Sequence, residues 1–317
     1  MKPIIIDLKF NSTRTAGAVE AAFAGREVIN LSNPEHAGCD LSKAGYALVW
    51  KPEADLFRRA PNLDIIFSGG AGVDHIMNAD GVPPEVPIVR FVDQTLTTRM
   101  SEWIVLQCLT HLRQMAGYAA QQKAKIWSEF AQPEAKEVTV GVMGLGVLGQ
   151  DSVAKLKMMG FDVIGWSRTK KQIDGIETFD TAGLDAFLAR TDILVGLLPL
   201  TPDTTGLYDA ALLGKLRRGG ALEKPVFINA GRGKSQNEAD LIAALADGTL
   251  RAASLDVFET EPLPSDSPFW SMDNVIMTPH ASAASDARAL MRHVETEMAR
   301  FESGQALRYL VDRTIGY

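Results

Sequence analysis

The stretch Val138-Thr139-Val140-Gly141-Val142-Met143-Gly144-Leu145-Gly146-Val147-Leu148-Gly149 decides the fold class of this chain. Its apolar, β-branched first half predicts a buried strand, and the helical pattern after it predicts a helix. The Gly-x-Gly-x-x-Gly spacing lies between the two, which is the context that a dinucleotide-binding turn requires. Gly144 would permit the tight turn, Gly146 would let the backbone approach a pyrophosphate, and Gly149 would allow helix and strand to pack closely. The amides at the helix start would bind the phosphates; a glycine turn without a ligand is the alternative.

Two series of short apolar runs extend this pattern over the whole chain. The first covers residues 4–6, 47–50, 65–67 and 88–91, and the second covers residues 138–143, 162–166, 193–197, 226–229, 252–257 and 275–277. Helical spacing of apolar residues predicts one helix over about residues 97–115 and another over about residues 285–301. Short buried strands alternating with helices are typical of parallel sheets. The pattern therefore predicts an α/β fold with two doubly wound parallel-sheet domains, residues 1–97 plus 285–317 and residues 98–284.

One helix of the second series carries local start and stop signals. Ser235 followed by Glu238 predicts a capping box ahead of the apolar run at residues 239–245. Gly248 stands where a left-handed residue commonly follows a helix. We therefore expect a helix between these two signals.

Composition limits the class of protein. The chain has 317 residues, of which 46% are hydrophobic and 22% are charged, and its formal net charge is -7. These values are typical of a globular protein with two domains, and the negative charge disfavours nucleic acid as a partner. No apolar run is long enough to span a bilayer, and the first residues carry too short an apolar stretch for a secretory signal. The two cysteines, Cys39 and Cys108, have no metal-ligand or redox spacing, so we expect a cytoplasmic protein without a metal site.

The end of the second strand of this later series selects the cofactor. An NAD-binding protein usually has an acidic residue about 20 residues after the glycines, where it binds the ribose hydroxyls. This chain has Ser167-Arg168-Thr169-Lys170 there instead. An acidic side chain would repel the 2′-phosphate of NADP, whereas hydroxyl and cationic side chains would bind it. The sequence therefore predicts NADP(H) as the cofactor, and a solvated basic turn is the alternative.

Three further residues have the chemistry that carbonyl reduction requires. They are Arg232 within residues 229–233, Glu261 directly before Pro262, and His280 directly after Pro279. A histidine can give a proton to the carbonyl oxygen as hydride arrives, because it titrates near neutrality. A neighbouring carboxylate favours the protonated imidazole, and a guanidinium offers paired donors to a substrate carboxylate. Each residue alone indicates little, and the combination predicts the reduction of a 2-oxo acid.

Ordered motifs over nearly the whole chain resemble the D-isomer-specific 2-hydroxyacid dehydrogenase family, and within it the bacterial glyoxylate/hydroxypyruvate reductase A type. The motifs are residues 144–149, 198–204, 229–233, 255–264, 278–280 and 311–313, with a terminal Gly316-Tyr317. The resemblance implies a flavodoxin-like substrate domain, a Rossmann NADP-binding domain and a cleft between them. It also implies that Arg232, Glu261 and His280 are the catalytic residues. Glu261 matches as the glutamate directly before proline, whereas Glu259 does not match.

The resemblance further implies which residues bind the cofactor and the substrate. For the cofactor these are Met100, Gly144, Leu145, Gly146, Val147, Leu148, Gly149, Ser167, Arg168, Thr169, Lys170, Leu198, Pro199, Thr204, Ala230 and Asp256. For the substrate they are Trp50, Ala71, Gly72 and Arg232. Asp256 would contact the nicotinamide carboxamide, with a turn-forming role as the alternative, and consecutive amides at Ala71 and Gly72 would bind the substrate carboxylate. Trp50 would narrow the pocket, with a place in the core as the alternative.

The expected reaction is the reduction of a short 2-oxo acid, such as glyoxylate or hydroxypyruvate, to the 2-hydroxy acid by hydride from NADPH. The expected assembly is a homodimer, and Trp127 resembles a tryptophan that reaches the neighbouring subunit's site in some relatives. Two alternatives stay open. The same fold serves dinucleotide-sensing corepressors, because fold does not determine function. The second alternative is an NAD-linked dehydrogenase with another 2-hydroxy acid substrate, which residues 167–170 disfavour.

Overall fold

The structure, a computed structural model, describes residues 1–9, 17–19, 22–23, 25–36 and 38–317. The chain divides into two compact units, Met1–Leu96 with Ser285–Tyr317, and Thr97–Ala284. Within these described residues, each unit is built on one sheet, with five strands in the first and seven in the second. Every strand pair in both sheets is parallel. The predicted fold class, two parallel-sheet α/β domains, is therefore confirmed.

The sheet of the first unit has the flavodoxin-like strand order. Its strands are β1 (Ile4–Leu8), β2 (Val28–Asn30), β3 (Tyr46–Trp50), β4 (Ile65–Ser68) and β5 (Ile88–Val89). They lie in the order β2-β1-β3-β4-β5, so the direction of winding reverses between β1 and β3. Trp50 ends β3 opposite Leu8 of β1, which places it at the reversal point, where doubly wound sheets bind ligands.

The sheet of the second unit reverses between β6 and β9. Its strands are β6 (Thr139–Met143), β7 (Asp162–Trp166), β8 (Glu177–Phe179), β9 (Ile193–Gly196), β10 (Val226–Asn229), β11 (Ala252–Leu255) and β12 (Val275–Met277). The spatial order is β12-β11-β10-β9-β6-β7-β8. Strands β6, β9 and β10 are buried along their whole length, because helices cover both faces of such a sheet. The glycine-rich turn follows β6 and therefore lies at the reversal point.

Helices connect these strands. They are α1 (Leu56–Arg59), α2 (Asp74–Met77), α3 (Gln94–Leu112), α4 (Met115–Ala124), α5 (Val147–Met158), α6 (Leu184–Leu188), α7 (Ala210–Leu213), α8 (Glu238–Ala246) and α9 (Ala287–Glu302). The predicted helix over residues 97–115 is α3, which begins and ends three residues earlier, and Gln114 separates it from α4 with a φ of 55°. Among the described residues, no helix combines the length and the apolar character that crossing a membrane requires.

The strand predictions succeed for most strands and fail for two strands at the sheet edges. Strands β7, β10 and β12 have the predicted bounds. Strands β2 and β8 were not predicted; each has three residues and lies at the edge of its sheet. Only one residue of each is buried, so these two strands leave little apolar signal in the sequence.

The predicted capping box is wrong, although the helix it was meant to start is present. Ser235 belongs to a 3-10 turn, Gly233–Ser235, and its hydroxyl donates to the carbonyl of Arg232. Asn237 caps α8 instead, since its side chain accepts from the amide of Asp240. The predicted helix end is confirmed, because Gly248 follows the helix with a φ of 75°.

A histidine in the second unit gives the fold a pH dependence. His111 Nε2 lies 2.8 Å from Ser254 Oγ, and burial, helped by the nearby positive charge of Arg251, lowers the pKa of His111 to about 4. As pH falls below about 6.5, His111 binds a proton in the unfolded chain but stays neutral in the folded chain. Stability should therefore be complete above this pH and decline between pH 6.5 and 4.

We expect His111→Gln to remove about 1 to 3 kcal/mol of this acid destabilisation, because each unit of pKa difference corresponds to 1.36 kcal/mol. Urea unfolding of both proteins at pH 7.5, 5.5 and 4.5 measures it. An unchanged difference in unfolding free energy across these three pH values would exclude His111 as the source.

Candidate active site

The three glycines of the turn after β6 occupy three different environments. Gly144 has a φ of 110°, and a Cβ there would lie 2.7 Å from the carbonyl oxygen of Leu197. A Cβ at Gly149 would overlap with the carbonyl oxygen of Gly144, so this position needs glycine for helix and strand to touch. A Cβ at Gly146 would meet nothing within 4 Å. The backbone of Gly146 therefore faces open space at the start of α5, which fits the approach of a pyrophosphate to helix amides.

The segment after β7 lies beside this turn. The amide of Gly144 donates to the carbonyl of Trp166, the last residue of β7, over 2.9 Å. Ser167 comes next and is buried, and its hydroxyl donates to the carbonyl of Thr169. Arg168, Thr169 and Lys170 are exposed. The exposed side chains after β7 are thus one hydroxyl and two cations, which fit the 2′-phosphate of NADP better than the ribose hydroxyls of NAD.

Other residues predicted for the cofactor differ in their surroundings. Leu198 follows β9 and is buried, and Thr204 donates its hydroxyl to the carbonyl of Pro199 over 2.7 Å. The amide of Ala230, just after β10, donates to the carbonyl of Gly196. Met100 on α3 and Leu145 are buried in the same apolar cluster. Leu148 packs against that cluster, whereas Val147 is exposed. The residues after β6, β9 and β10 thus share the carboxyl edge of the sheet.

Arg232 lies on a loop whose main chain packs tightly on both sides. A Cβ at Gly231 would lie 2.8 Å from the carbonyl oxygen of Leu198, and one at Gly233 would overlap with the main chain of Phe258. Both neighbours of Arg232 must therefore be glycine for the loop to fit. The half-buried guanidinium donates through one NH group to the carbonyl of Gly231.

Two buried amide side chains that we did not single out from the sequence hold this loop. Asn229 is fully buried, donates to Gln236 Oε1 and to the carbonyl of Arg232, and accepts from the amide of Gly231. Gln236 in turn donates to the carbonyl of Val257. A buried amide at a strand end needs such partners, so Asn229 at the end of the β10 pattern carried a usable signal, whereas Gln236 carried none.

Glu261 and His280 form the predicted pair. His280 Nδ1 lies 2.9 Å from Glu261 Oε2, with 32% of the histidine side chain and 22% of the glutamate side chain exposed. The other carboxylate oxygen of Glu261 accepts from the amide of Phe258. Phe258 thus holds Glu261 through its amide and also packs against Gly233 through its main chain. A carboxylate on Nδ1 orients the ring and selects Nε2 as the atom for proton transfer.

Glu259 does not belong to this pair and binds the start of α8 instead. Its side chain accepts from the amide of Glu238, and Glu238 accepts from the amide of Glu259. This reciprocal pair joins the loop to the start of α8, and Glu259 is exposed. The distinction between Glu259 and Glu261 that was made from the sequence agrees with these contacts.

Asp256 fixes the segment that carries His280. It is fully buried, and one carboxylate oxygen accepts from Thr278 Oγ1 and from the amides of Ala281 and Ser282. The other oxygen accepts from Ser282 Oγ, and the main-chain carbonyl of Asp256 accepts from the amide of His280. His280 has a φ of 52°, a strained backbone conformation for a residue with a side chain. Bonds on both sides of His280 hold it there.

The residues predicted for the substrate in the first unit surround the turn after β4. A Cβ at Gly70 would lie 2.6 Å from the Trp50 ring, so the indole packs directly on this turn. The Trp50 ring also contacts the ring of His75, with 4.5 Å between ring centroids. Ala71 and Gly72 are half-buried, and Ser68 Oγ donates to the carbonyl of Gly72. Trp50, Ala71 and Gly72 thus share the carboxyl edge of the first sheet.

Comparison with known proteins identifies the family of this chain. Residues 105–282 match the model of the D-isomer specific 2-hydroxyacid dehydrogenase NAD binding domain, which is more than half of the chain. The glyoxylate/hydroxypyruvate reductase A of Yersinia enterocolitica is 38% identical over 286 residues, 88% of this chain and 89% of the relative. The chain belongs to the D-isomer-specific 2-hydroxyacid dehydrogenase family.

Solved structures of this family extend the likeness to the full length. An NADPH-dependent glyoxylate/hydroxypyruvate reductase from Sinorhizobium meliloti, in complex with NADP and sulfate, is 59% identical with a TM-score of 0.98 and covers all of both chains. A probable 2-hydroxyacid dehydrogenase from Rhizobium etli, in complex with NADP, HEPES and L(+)-tartaric acid, is 61% identical with a TM-score of 0.94 over all of both chains.

The bonds of Asp256 generate a prediction. Asp256→Ala leaves the amides of Ala281 and Ser282 without their acceptor and should release His280 from its strained conformation. We expect kcat to fall about 10²-fold, because a displacement of about 1 Å can cost this much, while the Kd of NADPH changes less than about threefold. Stopped-flow kinetics and cofactor titration measure the two constants.

Asp256→Asn serves as the second variant, since an amide keeps one acceptor oxygen and should lie between the other two proteins in kcat. If Asp256 chiefly contacts the nicotinamide carboxamide, the Kd of NADPH will rise in both variants while kcat at saturation stays near the wild-type value.

Proposed function

We propose that this chain is an NADPH-dependent reductase of short 2-oxo acids such as glyoxylate and hydroxypyruvate. The observation that carries the proposal is the His280–Glu261 pair, 2.9 Å apart, on a segment that Asp256 fixes. Support comes from the named activities of the Yersinia and Sinorhizobium relatives and from the NADP in the Sinorhizobium structure. The absence of an acidic residue from positions 167–170 favours the same cofactor.

The proposed mechanism assigns one task to each polar side chain. Bound NADPH supplies the hydride to the carbonyl carbon of the substrate. His280 donates the proton from Nε2 to the carbonyl oxygen, and Glu261 holds Nδ1 so that the ring presents this nitrogen. Arg232 binds the substrate carboxylate with paired guanidinium donors. Ala71, Gly72 and Trp50 remain predictions of the family resemblance for substrate binding.

Replacement of the acid tests the chemistry. We expect His280→Asn to lower kcat for glyoxylate about 10²- to 10⁴-fold, the usual contribution of a general acid, with little change in the Kd of NADPH. Asparagine is chosen because it tolerates the left-handed backbone that His280 adopts. NADPH oxidation at 340 nm, with glyoxylate, hydroxypyruvate, pyruvate and phenylpyruvate as substrates, measures the effect.

Two glutamates provide a matched control. Glu261→Gln should lower kcat about tenfold or more, because a neutral amide orients the imidazole less firmly than a carboxylate does. Glu259→Gln, two residues away on the surface, should keep wild-type turnover. Failure of the wild-type chain to reduce any of the four acids would refute the proposed function and favour a dinucleotide-sensing binding protein.

Cofactor preference is a separate prediction. One hydrogen bond between Arg168 and a phosphate favours NADPH over NADH by about 10- to 100-fold in kcat/KM. Ser167→Asp combined with Arg168→Ala should reverse the preference, since it adds repulsion of the 2′-phosphate as well as removing attraction. The ratio of kcat/KM with the two cofactors measures this. A wild-type ratio near one would contradict the assignment.

We infer in addition that the protein is a cytoplasmic homodimer. Trp127 and Ile126, at 102% and 56% exposure, form an apolar segment after α4 that a second copy could cover. Sedimentation equilibrium should give twice the chain mass, and Trp127→Ser should lower the affinity of the dimer. A monomeric wild-type protein would overturn this part of the proposal.

A further inference from the structure

Lys171, one residue beyond the predicted 2′-phosphate segment, reaches back to the glycine-rich turn. Its Nζ donates to the carbonyl oxygen of Leu145 over 2.9 Å. Gln150 Nε2, from the first turns of α5, donates to the same oxygen, also over 2.9 Å. This carbonyl belongs to the second residue of the Gly-x-Gly-x-x-Gly run. Two side chains from different elements therefore fix one peptide group in the turn that the phosphates approach.

A fixed carbonyl also fixes the neighbouring amide. The peptide unit is planar and trans, so the N–H of Gly146 points away from the carbonyl of Leu145. Lys171 and Gln150 hold the oxygen side of this plane, and Gly146 has open space around its missing Cβ. Holding the plane keeps the turn in one orientation before a ligand arrives. Such preorganisation raises affinity, because the cost of ordering the turn is not met on binding.

The main chain of Lys171 is held as well. Thr178, a buried residue of β8, donates its hydroxyl to the carbonyl of Lys171. Lys171 is half-buried, whereas Arg168 and Lys170 are exposed. The three cations of this segment therefore differ: two face solvent where a 2′-phosphate would bind, and one is bonded to the glycine-rich turn.

We propose that Lys171 is a positioning residue for the glycine-rich turn, and that it strengthens binding of the diphosphate half shared by NADPH and NADH. It does not discriminate between the two cofactors; Arg168 and Lys170 do. Lys171 thus links the segment that reads the 2′-phosphate to the turn that binds the diphosphate. This inference rests on the proposed use of NADPH.

The test measures the Kd of NADPH and of NADH by quenching of tryptophan fluorescence, with no substrate present. We expect Lys171→Met to raise both constants by the same factor, about tenfold, since a hydrogen bond from a charged group is worth about one decade of affinity. The matched control is Lys170→Met, which should raise the Kd of NADPH alone. Thermal melting of each variant confirms that it is folded.

Gln150→Leu separates positioning from attraction by charge. Gln150 is neutral and binds the same oxygen, so its loss should also raise both constants by one common factor. If Gln150→Leu changes neither constant, Lys171 acts through its charge and the positioning role is overturned. An effect of Lys171→Met on NADPH alone, or on neither cofactor, overturns it too. A wild-type chain that binds neither cofactor would instead refute the proposed function.

Discussion

Main chain packs directly against main chain at the carboxyl edge of the seven-stranded sheet, and the active site depends on this contact. Four glycines make it possible. Gly144 touches the turn after β9, Gly149 touches Gly144, Gly231 touches Leu198, and Gly233 touches Phe258. A side chain at any of these positions would separate segments that must lie together. The glycine-rich turn after β6, the loop that carries Arg232 and the loop that carries Glu261 are thus packed together. The shape of their main chains sets the position of each polar side chain.

Asp256 extends this order to the histidine. A buried carboxylate is costly unless hydrogen bonds compensate for lost hydration, and here four donors do so. The same four bonds constrain the residues on either side of His280. The bonds that compensate for the burial of this carboxylate therefore also hold the strained main-chain segment that carries His280.

The sequence predicted those parts of the molecule that local patterns determine. Buried strands such as β7 and β10 have continuous apolar runs, and the glycine-rich turn has a fixed spacing, so both could be recognised. The edge strands β2 and β8 could not, because only one residue of each is buried, whereas the equally short edge strand β12 is apolar throughout. Ser235 was misread, since its hydroxyl could bond a helix amide or the carbonyl of Arg232, and only the packed loop decides between them.

Contacts between distant residues were beyond reach for a different reason. The bond that Lys171 donates to Leu145 and the bonds that Ser282 donates to Asp256 each join residues that are 26 apart in the chain. No local pattern encodes such pairs. Glu261 and His280 could be named in advance from their residue types and from a family motif, but their distance and orientation came from the fold.

The left-handed backbone at His280 also limits how this site can diverge. A lineage that no longer needed an acid would lose the selection for imidazole, but the main chain would still disfavour β-branched residues at that position. Drift should therefore lead first to glycine or asparagine, which accept the conformation at low cost. Relatives that have kept the fold and abandoned the reaction would then be recognisable by a small or amide-bearing residue after the proline that corresponds to Pro279.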